Sequence, residues 1–250
     1  MSSKWLLRES RHSIADKLLF QFWDLLERAE DYVRTGEPVE LHSMSDEEQW
    51  DLYQRGMRAI ANATAGEAVR RIPVPKDAKR MLDIGGSRGY YSVALCRRHQ
   101  GLRSVILDLP QAVKHAAPLL AAEGMGERVL HRAGDALTAD LDQTPTISSL
   151  AHSLSTTSPT SRTEPSRPGW PAHAPGGVDA ILDVFRPRSA KDAGQLGALL
   201  EFYFVLTSQA GTWPVEEISD WQRQAGLSPR RAIRLRTVPG VGIQVAVKPG

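Results

Sequence analysis

A mixed α/β fold is predicted: a mostly parallel, doubly wound sheet with a C-terminal antiparallel strand pair, preceded by linker helices. Three observations carry it. Short apolar runs alternate with helical periodicities between Arg80 and Asp140, as parallel strands joined by crossover helices do. The first run ends in the turn Gly85-Gly86-Ser87-Arg88-Gly89, where a strand must bend sharply into a helix. Two further runs flank Pro239-Gly240 near the end of the chain, a turn dipeptide between antiparallel strands.

The elements follow in order. Ile14 to Val33 repeats apolar residues with helical spacing, and Gly36-Glu37-Pro38 stops it. A second helix starts at Ser45, with Ser45-Asp46-Glu47-Glu48 as its capping box, and runs towards Val69. The first strand is Met81–Ile84, and a helix carrying Tyr90, Val93, Ala94 and Leu95 follows the glycine turn. Ser104–Leu107 is the second strand, ending at Asp108; Ala112–Glu123 is the next helix; Val129–His131 is the third strand, ending near Gly134-Asp135. Val178–Asp183 is another strand, Leu196–Leu206 and Val215–Ala225 are helices, and Gly226 stops the last. Arg231–Val238 and Val241–Val247 form the closing pair.

Between these regions the texture breaks. More than half of the residues from Gln143 to Arg167 are Ser or Thr, and prolines recur from Pro145 to Pro175. Prolines at that density exclude a long helix. A doubly wound sheet needs its fourth strand and helix here, yet little of either is legible.

Bulk properties narrow the class. The 250 residues make room for one large domain, or one with a helical extension. With 41% hydrophobic and 24% charged residues, the chain is too apolar for global disorder. A net charge of +2 gives no broad footprint for nucleic acid. The single cysteine, Cys96, excludes an internal disulfide or a cysteine-based metal cluster. No run approaches a membrane span and the start lacks an apolar signal core, so a cytoplasmic location without a membrane partner is expected.

The chemistry gathers at the glycine turn. Glycines permit positive φ and let a ligand lie against bare backbone, while the following helix offers unpaired N–H groups. Asp108 closes the second strand, where a carboxylate can take both hydroxyls of a ribose. That pair fits a dinucleotide or S-adenosylmethionine, and the glycines could also serve only the turn. The third strand adds Gly134-Asp135-Ala136, an acid beside a glycine, placed to meet an adenine edge.

Here the chain resembles a known family. The strings LDIGGSRGYYS, VILDLPQAV and RAGDALTADL look like the first three motifs of class I S-adenosylmethionine-dependent methyltransferases, whose domain is Rossmann-like. More narrowly they resemble the O-methyltransferases acting on plant phenylpropanoids (caffeic acid among them), acetylserotonin and bacterial polyketides. Asp108-Leu109-Pro110 is the most specific of these, and Arg34–Pro38 between the linker helices also matches.

The resemblance implies that Asp83, Gly85, Gly86 and Gly89 surround the methionine part of S-adenosylmethionine. It implies that Asp108, beside Leu109, holds the ribose, and that Asp135, with Gly134 and Ala136, faces the adenine. It also implies that His152 deprotonates the acceptor hydroxyl and that Asp183 orients it, with no metal. A phenol is a poor nucleophile until a base of near-neutral pKa takes its proton, which histidine supplies. The partner implied is a small aromatic or polyketide-like molecule carrying a hydroxyl.

Departures from the family pattern set further expectations. Residues 1–72 read as a helical linker and dimerisation remnant whose winged-helix partner domain is missing, which weakens the family homodimer. Residues 73–250 read as the S-adenosylmethionine-binding methyltransferase domain, with 143–175 atypical. The glutamate common in the loop before the Val215 helix is replaced by Ala210-Gly211-Thr212-Trp213-Pro214, with Glu216 and Glu217 out of register. Where the family has a helix, Ser153–His173 can be back-translated so that the adjacent codon frame encodes one. A frameshift opening near Ser153 and closing near Ala174 is therefore expected, the alternative being a genuine disordered insertion. Without that helix the chain as written should be marginally stable. The rival functions are a member that binds the cofactor without methyl transfer, or one repurposed for another reaction. A nicotinamide oxidoreductase is the more distant rival.

Overall fold

The apolar runs of the sequence become the strands of one sheet. The computed structural model describes residues 25–39, 57, 61–136, 138–139, 141, 145–151, 173–207, 212–238 and 240–250. Its strands are β1 (Arg80–Ile84), β2 (Arg103–Asp108), β3 (Val129–Ala133), β4 (Ile147–Ala151), β5 (Val178–Val184), β6 (Ser228–Pro229), β7 (Ile233–Arg234) and β8 (Val241–Val247). Its helices are α1 (Ala29–Thr35), α2 (61–71), α3 (Tyr90–Arg98), α4 (Pro110–Ala121), α5 (Ala190–Thr207) and α6 (Val215–Gln224).

The strand order is β3-β2-β1-β4-β5-β8-β6, with β7 also paired to β8. The first five strands are parallel, and β8 runs antiparallel to β5 along the whole of both. This is the predicted doubly wound sheet with an antiparallel close. Its order reverses between β1 and β4, which opens a crevice at the C-terminal ends of those strands, the usual place for a ligand in such sheets.

Alternation along the strands splits the core in two. Met81, Ile106, Ala180, Leu182, Val184 and Ile243 face α2 and α3 on one side. Leu82, Ile84, Leu107, Ile181 and Phe185 face the other side, with Ile218 of α6. β5 is buried at every position, its two aspartates, Asp179 and Asp183, included.

Several elements differ from their predicted extents. β4, illegible in the sequence, forms from Ile147-Ser148-Ser149-Leu150-Ala151 because β1 and β5 pair with its two edges; pairing on both sides overrides weak local propensity. α5 begins at Ala190 rather than Leu196. Gly194 and Gly197 mask its first two turns, since glycine lowers helix propensity. The strand expected over Arg231–Val238 shrinks to β7, and a second short piece, β6, pairs with β8 ahead of it. Pro229 has no N–H to donate, and the strand resumes only after Arg230 N–H has bonded Val245 O at 2.7 Å. Of the two N-terminal helices, α1 and α2 are the described parts, while residues 14–24 and 45–56 lie outside the described residues.

The stretch 152–172 also lies outside the described residues, and with it nearly all of the segment expected to arise from a frameshift. The last residue of that segment, His173, is buried: Nε2 lies 4.0 Å from Asp179 Oδ1, and Gln222 Nε2 donates to Asp179 Oδ2 at 2.8 Å.

An ion pair within α2 fastens the helix to the backbone around β7. Arg71 Nη1 donates to Glu67 Oε1 and to Arg234 O, both at 2.7 Å. The N–H groups of Arg236 and Thr237 donate to Glu67 Oε2 at 2.8 and 3.1 Å. Burial pushes the Glu67 carboxyl up, but Arg71 and the two N–H groups outweigh it and hold the group at about 2, below its ordinary 4.5. A carboxyl whose folded pKa is depressed stabilises above its unfolded value and loses that contribution as pH falls through the folded one. Glu67→Gln should therefore melt below the parent at pH 7. That gap should close between pH 4.5 and about 2, as thermal melts across this range would read.

Candidate active site

β1 runs straight into the glycine turn, and three contacts shape it. Gly85, at φ +66°, donates its N–H to Leu107 O at 2.8 Å, tying the turn to β2. Gly86 lies directly on the Asp83 carboxylate, so that a Cβ there would stand 2.5 Å from Oδ2. Gly89, at φ +76°, caps α3. Each of the three glycines thus serves a backbone need that a larger residue would oppose.

Asp83 supports the turn from below. Its side chain is fully buried; Ser92 Oγ donates to its Oδ2 at 2.6 Å, and Ser92 is 2.8 Å from Ser104 Oγ. Thr64 of α2 and the Tyr91 hydroxyl meet at 2.5 Å, which ties the linker helix to the first turn of α3. Burial pushes the Tyr91 hydroxyl up to about 12, so it stays protonated at neutral pH.

Asp108 stands half-exposed at the end of β2. Ser87 N–H donates to its Oδ2 and Leu109 N–H to its Oδ1, each at 2.8 Å. Leu109 is 44% exposed, an apolar side chain next to a charged one. At the end of β3, Gly134 N–H donates to Asp108 O at 2.9 Å. The exposed Asp135 opens the next turn, its carbonyl accepting from Thr138 and Ala139 N–H at 3.1 and 2.7 Å. Ala136 packs against the core behind it.

The ends of β1, β2 and β3 therefore bring together Gly85, Gly86, Gly89, Asp108, Leu109, Gly134, Asp135 and Ala136. Asp183 sits apart, near the end of β5 and two strands from β1. It is buried, and its Oδ1 accepts Val184 N–H at 2.7 Å. His152, the candidate base, lies outside the described residues; it directly follows Ala151, the last residue of β4, which runs between β1 and β5.

Beyond Asp183 the chain builds an aromatic corner. Phe185 bridges to Trp213, and Trp213 meets Trp221 edge-on with centroids 4.9 Å apart. The Arg186 guanidinium lies 5.9 Å over Trp213, and its Nε is 3.2 Å from Glu201. Thr212, in the loop where the family pattern has a glutamate, is buried, and its Oγ1 has no hydrogen-bond partner among the described residues. Glu216 is exposed, and the hydrogen bond from Arg188 holds its carboxyl below its usual range.

Some participants escape the sequence reading. Ser92 and Ser104 are ordinary polar letters in a helix and a strand, and only burial marks them. His131, inside β3, reaches across to the glycine turn: its Nε2 donates to Ser87 O at 2.8 Å. Nothing in the spacing signals that contact.

Comparison with known proteins gives the chain relatives and a shared fold. The chain is 24% identical over 230 residues to 3-hydroxy-5-methyl-1-naphthoate 3-O-methyltransferase of Streptomyces sahachiroi. That match covers 88% of this chain and 65% of the relative, so the chain spans a little under two thirds of that protein. An O-methyltransferase family protein from Burkholderia thailandensis shares the fold with a TM-score of 0.82 at 20% identity, over 99% of this chain and 76% of the other. Human N-acetylserotonin methyltransferase, solved in complex with S-adenosylmethionine, does so with a TM-score of 0.77 at 14% identity, over 96% of this chain and 71% of that one. Residues 27–151, half of the length, match the family model described as an O-methyltransferase domain, and the chain belongs to that family.

Proposed function

We propose that this chain binds S-adenosylmethionine and methylates a hydroxyl of an aromatic or polyketide-like small molecule. The observation that carries the reading is the half-exposed Asp108 carboxylate, held beside the glycine turn at the point where the strand order reverses. The donor set fits such a cofactor: a half-exposed carboxylate of the kind that accepts from vicinal hydroxyls, an exposed Leu109 for a flat base, and Asp135 at the next strand end. The cofactor supplies a methyl group on a sulfonium that carries its own leaving group.

The rest falls to the chain. Asp108 anchors the ribose, and the turn over Gly85–Gly89 lines the methionine part with backbone. Alignment of oxygen, methyl and sulfur provides most of the acceleration in such a transfer. His152 takes the acceptor proton on a ring nitrogen as the O–C bond forms, and Asp183 fixes its orientation. Family membership, the S-adenosylmethionine complex of the acetylserotonin enzyme and the naphthoate O-methyltransferase relative support this reading.

Calorimetry with S-adenosylhomocysteine, with NAD as control, tests the cofactor; binding of NAD alone would refute it. Isotope-labelled methyl transfer to a panel of phenols then tests the chemistry. His152→Ala should keep S-adenosylhomocysteine binding and lose about 100-fold or more in rate, the usual weight of a general base. An unchanged rate removes His152 from that role. One observation favours a second reading, cofactor binding without turnover: the loop before α6, where the family has a glutamate, carries none, and Glu216 is engaged outside with Arg188. No methyl transfer in any assay, with S-adenosylhomocysteine binding intact, would decide for it.

A further inference from the structure

Ser87 is the one non-glycine residue with positive φ among the described residues, at +53°. For a residue with a Cβ this conformation costs free energy and persists where the surroundings impose it. Here both polar groups of the Ser87 backbone are engaged from different strands. Its N–H donates to Asp108 Oδ2 on β2, and its carbonyl accepts from His131 Nε2 on β3, both at 2.8 Å. A carbonyl can only accept, so Nε2 carries the hydrogen.

We infer that His131 is a positioning residue for cofactor binding: by holding the Ser87 carbonyl it keeps Ser87 in the left-handed conformation that aims its N–H at Asp108. The inference rests on the proposed reading of Asp108 as the ribose anchor. The chain of effect is short. Without the imidazole, Ser87 relaxes towards negative φ and its N–H turns away. Asp108 then loses one of the two N–H groups that fix its carboxylate, and ordering it again draws on binding energy. His131 touches no cofactor atom in this account and acts through Ser87 and Asp108.

The test compares His131→Leu, which cannot donate, with His131→Gln, which can. Hydrogen exchange on the ligand-free proteins reads the clamp itself: the Ser87 amide should be protected in the parent and the Gln variant, and should exchange faster in the Leu variant. Titration with S-adenosylhomocysteine should then show a loss of about tenfold for Leu, the size of one net hydrogen bond, with recovery in Gln. Adenosine should lose the same factor, because the effect enters at the ribose. Equal protection of Ser87 in all three proteins, or equal weakening in both variants, would overturn the inference. Failure of the parent to bind either ligand would instead overturn the cofactor reading, with the exchange result still deciding the clamp.

Discussion

Asp108→Ala lowers the affinity for S-adenosylhomocysteine by about 100-fold or more, since two hydrogen bonds to a charged acceptor contribute about 1.5–3 kcal/mol each. The reason lies in what already holds the carboxylate. Its oxygens accept from Ser87 and Leu109 N–H at 2.8 Å each, so it is fixed at the strand end before any ligand arrives. Alanine removes both the anchor and the acceptor that keeps the Ser87 N–H in place. Asp108→Asn keeps the volume but exchanges one acceptor for a donor, and should fall between alanine and the parent. Calorimetry on the three proteins gives the order. An alanine variant that binds as tightly as the parent would remove Asp108 from the site.

Gly86→Ala should lower stability and weaken cofactor binding together. Its Cβ would stand 2.5 Å from Asp83 Oδ2, 2.6 Å from Asp83 Cγ and 3.0 Å from Ile106 Cγ2. Asp83 has no easy retreat: it is fully buried, and Ser92 donates to the same oxygen. Overpacking of this kind costs about 1–3 kcal/mol, and each kcal/mol shifts the melting point of a domain this size by about 2–4 °C. A drop of roughly 3–10 °C is therefore expected, together with weakened cofactor binding, because Ser87 moves with its neighbour. A Gly86→Ala protein that melts with the parent would show that the turn does not rest on Asp83.

The parallel half of the sheet and the ligand-facing turn were legible because local signals and tertiary demands coincide there. Met81–Ile84 is apolar and short, glycines follow where φ must be positive, and an acid ends the next strand. Legibility failed where pairing supplies what propensity lacks. Ile147–Ala151 becomes a strand only because β1 and β5 flank it. Ser92, Ser104 and His131 act through contacts between elements far apart in sequence, and no periodicity encodes those. The expected acid-bearing half of the site divides: Asp183 is present at a strand end, His152 lies outside the described residues, and Thr212 stands buried in the loop before α6.

The placing of β8 has a consequence for how the chain comes off the ribosome. β5 is covered along its whole length by β8, yet everything from Phe185 to Gly240 must be synthesised first. During that interval a strand buried at every position in the finished domain presents an open edge of unpaired amides and carbonyls, a template for pairing with another chain. Domains generally fold as their N-terminal parts emerge, but this one cannot close its sheet until Val241–Val247 arrives. The interval between β5 and β8 is thus the stretch of synthesis in which the nascent chain most needs shielding by a chaperone.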